Sequence, residues 1–133
     1  MKNRVIIAAV ILAGVFLVGF IPQYVKANRL DTELRQARQA NVGAELRDLI
    51  GLAYVQANQK NYGLAAATTA RFFNRVRDVA NQTADPSSRK DLENLFVARD
   101  KITAALAKGD AGVTGDLQEL FMKTRRATGG FGE

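Results

Sequence analysis

The chain has no cysteine, no histidine and no tryptophan among its 133 residues, and only two prolines interrupt it. Without histidine it lacks the usual general base near neutral pH and the commonest metal ligand. Without cysteine there is no thiolate nucleophile, zinc knuckle, disulfide or thiol for lipid attachment. Serine occurs only as Ser87 and Ser88. The 13 acidic residues are interleaved with Arg and Lys along polar faces. The nearest pairs, Asp31 with Glu33 and Asp91 with Glu93, point to different sides of a helix. Gly109, Gly112 and Gly115 stand without the lysine and preceding strand of a phosphate loop. These absences read as a non-enzyme with no catalytic residue, no cofactor and no metal site.

What is present is rich in Ala, Leu, Val, Arg and Gln, an all-α composition. The net charge is +6. A nucleic-acid binder would carry denser charge and exposed stacking aromatics, so nucleic acid is not an expected partner. The basic faces suit anionic lipid headgroups or an acidic protein instead.

From Val5 to Ile21 no side chain is charged or strongly polar. Residues 1–22 are therefore expected to form an uncleaved transmembrane signal anchor. In a helix that run covers about 25 Å at ~1.5 Å per residue, slightly short of a ~30 Å hydrocarbon core. A cleaved export signal is the alternative, against which stands a run longer than the ~7–15 residues of an ordinary signal core. Lys2 and Arg4 on a short tail favour a single pass through the inner (cytoplasmic) membrane with a periplasmic C-terminal domain. Lys26, Arg29, Arg35 and Arg38 weigh toward the opposite orientation. Ala9 and Ala13 form a small-xxx-small step, the candidate packing site of the membrane helix.

Residues 23–41 read as a helical stalk or linker. Leu30, Leu34 and Ala37 follow one another at four- and three-residue steps, and Asn41 is next in that phase. The seam is coiled-coil-like but shorter than two heptads, and it admits either a short dimerising stalk or a solvated linker. Residues 42–127 read as an antiparallel bundle of about four helices, the arrangement that buries all four apolar stripes. In the first, Val42, Leu46, Leu49, Ile50, Ala53 and Ala57 share one face. After a break at Gln59-Lys60-Asn61, a second stripe runs from Tyr62 to Ala80. Asp85 and Pro86 open a third helix that ends at Gly109, with Ser88 and Asp91 as an alternative capping box, and Thr114 is the expected cap of a fourth. The tail, residues 128–133, is short, Gly-rich and expected to be disordered.

The turn Asn61-Tyr62-x-x-Ala65, with Ala53 before it, resembles the inter-helix junction of a tetratricopeptide repeat. That resemblance covers roughly thirty residues, and no second copy follows at a 34-residue period. It implies a hairpin geometry for the first two bundle helices and no repeat array.

Phe72 and Phe73 point about 100° apart on their helix, so both are buried only if the apolar stripe is wide. Either both rings lie in the core, the commoner outcome in a thin bundle, or one ring, Phe73, flanked by Arg71 and Arg75, is exposed as the candidate partner contact. The expected function is that of a non-catalytic, membrane-anchored helical adaptor, scaffold or accessory subunit of an envelope complex. Its expected partners are the lipid bilayer, proteins of a membrane assembly and, through the stalk, a second copy as a homodimer. The alternative is a membrane-tethered sensory or ligand-binding four-helix module that signals through a partner.

Overall fold

The structure, a computed structural model, describes residues 2–131, and of residues 19–24 the backbone alone. Among the described residues every regular element is helical: α1 (Lys2–Asn58), α2 (Tyr62–Gln82), α3 (Pro86–Asn94), α4 (Arg99–Lys108) and α5 (Val113–Ala127). A 3₁₀ segment, Leu95–Ala98, links α3 to α4. The chain divides into two compact units, Met1–Ala37 and Arg38–Glu133. The boundary falls a few residues before the Val42 start expected for the bundle.

In the first unit the large apolar side chains from Val5 to Val18 are exposed around the helix. Among the described residues no helix is long and apolar enough to cross a membrane. This corrects the expected transmembrane anchor over residues 1–22. The physical reason is length. In the sequence the uncharged run, Val5–Ile21, covers about 25 Å at ~1.5 Å per residue, against a ~30 Å hydrocarbon core. The side chains of residues 19–21 lie outside those described.

The second unit is a helical bundle. The C-terminal part of α1 and α2 form an antiparallel hairpin: Thr68 Oγ1 bonds Gln56 Oε1 near the turn (2.8 Å), and Arg75 Nε reaches Glu45 Oε2 further away (2.9 Å). Leu46, Ile50, Ala53 and Ala57 of α1 are buried with Ala65, Phe72, Phe73, Val76 and Val79 of α2. Small residues, Ala53, Ala57 and Ala65, line the core near the turn, and Phe72 and Phe73 lie further from it. Leu92, Leu95, Ile102 and Leu106, with Val113, Leu117 and Leu120, complete one continuous core.

Two helices stop by the same device. At α1, Asn61 N–H bonds Gln56 O and Lys60 N–H bonds Ala57 O; at α4, Asp110 N–H bonds Ala105 O and Gly109 N–H bonds Leu106 O. Both are Schellman caps with the turning residue in the left-handed region, Lys60 at φ 60° and Gly109 at φ 66°. Glycine adopts that conformation freely, whereas lysine gives up roughly 1–2 kcal/mol to hold it.

The start of α3 follows the sequence expectation, with Asp85 at the cap and Pro86 in the first turn. Asp85 Oδ2 accepts from the Ser88 backbone N–H (2.8 Å) and from Ser88 Oγ (2.7 Å). These bonds favour the carboxylate and hold the Asp85 pKa below its ordinary value. Because the folded pKa lies below the unfolded one, the contribution to stability is complete above the unfolded value of about 3.9. It is lost as pH falls through the folded value. Asp85→Asn is therefore expected to flatten the decline of Tm on acidification below about pH 4, measured by circular dichroism. An unchanged acid slope would refute the cap's role.

The fourth bundle helix starts differently from expectation. Gly112 precedes α5 without a side-chain cap. Asp110 Oδ1 accepts from Gly112 N–H (2.8 Å), and Thr114 Oγ1 donates back to Ala111 O (3.1 Å). Thr114 therefore stabilises the preceding turn and does not cap the helix. Residues 128–131, where a loose tail was expected, fold back on the bundle. Thr128 is 1% exposed, Arg47 Nη1 donates to its hydroxyl (2.8 Å), and Phe131 packs on the core. Residues 132–133 lie outside the described part.

Candidate functional site

The buried polar side chains among the described residues are four threonines. Thr124 Oγ1 bonds Leu120 O, Thr128 Oγ1 bonds Thr124 O, and Thr68 Oγ1 reaches Gln56. Thr69 Oγ1 is buried with no hydrogen-bond partner. Among the described residues no group of three or more Cys, Asp or Glu side chains converges on a point that could hold a metal ion.

The residues singled out from sequence are not assembled into one surface. Phe73 is 3% exposed, its ring 5.2 Å from Phe72 in an edge-to-face arrangement and 5.8 Å from Phe96. The stripe on α2 is wide enough to bury both adjacent rings, so Phe73 is corrected from a partner contact to a core residue. Arg75 lies part-buried in its ion pair with Glu45, where it ties the hairpin together. Arg71 is exposed on the same helix. Arg77 lies over the Phe96 ring, 5.8 Å from its centre, and shields its face from water. Ala9 and Ala13 are exposed on α1, in the unit that holds no membrane-spanning helix among its described residues.

The surface that stands out is centred on the 3₁₀ segment. Val97 is 83% exposed, more than any other large apolar side chain described. The local geometry explains this. In the sequence, Leu92, Leu95, Phe96, Arg99, Ile102 and Leu106 read as one helical stripe; at ~100° per residue Val97 falls on the opposite side, and it stays outward in the 3₁₀ segment while Leu95 is buried.

Two shallow grooves meet at Val97. One, about 460 Å³, runs between Asp91, Asn94, Leu95, Lys123 and Arg126. The other, about 210 Å³, is edged by Lys101, Asp116, Glu119 and Lys123. Ion pairs flank the second: Lys101 Nζ to Asp116 Oδ1 and Lys123 Nζ to Glu119 Oε1, both 2.7 Å. The Asp116 hydrogen bond raises the Lys101 pKa, and the Lys123 bond lowers that of Glu119. Lys101 and Glu119 are thus held charged beside the apolar centre. Sequence reasoning missed Val97 because a single valine opposite an apolar stripe carries no signal of a contact surface.

A third groove, about 440 Å³, lies where Val42, Val79, Thr83, Asp85 and Phe131 converge. Its wall is formed partly by the returning C-terminal segment. No protein-family model, curated protein or solved structure matches the chain. The tetratricopeptide resemblance therefore gains nothing beyond the observed hairpin.

Proposed function

We propose that the protein is a non-catalytic helical adaptor or scaffold whose bundle contacts a protein partner through the Val97 face. The observation that carries this reading is Val97 itself, an apolar side chain exposed on a 3₁₀ turn and flanked by two ion pairs. An apolar centre with a polar rim is the anatomy of a protein interface. The interior supports it too, since its buried polar groups are four threonine hydroxyls, two of them bonded to local backbone carbonyls. The reading requires no membrane span.

A photo-reactive side chain installed at Val97 in the full chain, in cells, tests it. The expected result is one discrete protein adduct at position 97 and none at the exposed control position Ala104. The same adduct at both positions, or none, would overturn the reading. So would saturable thermal stabilisation by a small metabolite, which would transfer the function to the ligand-binding alternative.

A further inference from the structure

We infer that α1 pairs with α1 of a second copy of this chain, parallel and in register. The starting point is the phase of its exposed apolar residues. Leu30 and Leu34 are 66% and 49% exposed. Place Leu34 at a and Ala37 at d of a seven-residue repeat, and Leu30 and Ala27 fall at the preceding d and a. Two heptads upstream of Ala27 stands Ala13, followed toward the N-terminus by Ala9 and Ile6. One phase thus joins the small-residue step to the leucine seam. Asn41 takes the next a position, where a single Asn specifies register in paired helices.

The charges select the partner. In a parallel pair, each g side chain faces the e side chain five residues further along the other helix. Lys26 occupies g and faces Asp31 of the other copy; Glu33 occupies g and faces Arg38. Both contacts are attractive, and two-fold symmetry makes each occur twice. Within its own helix Asp31 also pairs with Arg35 at the neighbouring b position on the outer face, Arg35 Nη2 lying 2.8 Å from Asp31 Oδ2. A seven-residue seam on a 3.6-residue helix drifts about 20° per heptad, so the two helices follow it by coiling left-handedly.

Sedimentation of the purified full chain in a non-ionic detergent, with charge-swapped variants, tests the pairing. Glu33→Arg sets a second arginine against Arg38, and Arg38→Glu sets a second glutamate against Glu33. Each is expected to raise the dimer dissociation constant roughly tenfold, because an attraction is lost and a repulsion installed at both symmetric contacts. The double variant restores the attraction and is expected to return within about threefold of the parent.

The chain has no native cysteine, so orientation can be read separately. Ala37→Cys is expected to form an inter-chain disulfide with itself, while Arg35→Cys on the outer face does not. A monomer at all concentrations, no rescue by the double swap, or equal cross-linking at 35 and 37 would each overturn the pairing. Pairing through α1 and recruitment through Val97 fail independently, because the first reads sedimentation and the second an adduct to another protein.

Discussion

Replacing Phe72 with alanine is expected to destabilise the bundle by about 3–5 kcal/mol, read from the denaturant midpoint at unchanged slope. Phe72 is fully buried and heads the largest buried side chains. Its ring meets Phe73 edge to face at 5.2 Å, and Phe73 in turn stacks toward Phe96. Removing the first ring therefore opens a cavity and unseats the second. Such a loss approaches the whole stability of a small domain, typically about 5–15 kcal/mol, so the variant is expected to be partly unfolded at 37 °C. Phe72→Leu keeps most of the volume and is expected to cost under about 2 kcal/mol. A loss below about 1 kcal/mol for the alanine variant would mean that this aromatic cluster is not the centre of the core.

The hairpin and its core were legible because they depend on period alone. Leu46, Ile50, Ala53 and Ala57 recur at helical steps in the sequence and are buried in the structure. The Asp85-Pro86 start was legible for a local reason, since a capping acid and a first-turn proline act within four residues. What escaped depends on conformation that no side chain advertises. Lys60 turns the chain in the left-handed region where Gly109 does so at the end of α4, and only the glycine is recognisable beforehand. The 3₁₀ segment Leu95–Ala98 divides a stripe that reads as one helix. Phe73 failed as a contact because the width of a stripe depends on which helices cover it. The apolar N-terminal run misled in another way: apolar composition was plain, but crossing a membrane also requires length.

The tail offers the sharpest disagreement between composition and packing, and stopping the chain after Ala127 tests it. As a disordered Gly-rich segment, residues 128–133 would be removed without effect. In the structure Thr128 is 1% exposed, its hydroxyl accepts from Arg47 Nη1 and donates to Thr124 O, and Phe131 rests on the core. Truncation removes a buried threonine, a half-buried ring and an acceptor for a guanidinium. The expected loss is about 3 kcal/mol from burial and hydrogen bonding together, which lowers the Tm of a bundle this size by more than about 10 °C. Gly43 supplies a second reading. A Cβ there would sit 3.3 Å from Thr128 Cβ, 3.3 Å from Arg47 Nη1 and 3.4 Å from the Phe131 ring. In the full chain Gly43→Ala thus sets helix propensity, worth about 1 kcal/mol, against crowding, and little net change is expected. In the truncated chain Thr128 and Phe131 are gone, and the same substitution is expected to recover most of that ~1 kcal/mol. If truncation leaves Tm unchanged, or if Gly43→Ala acts alike in both chains, the tail does not pack on α1 as described.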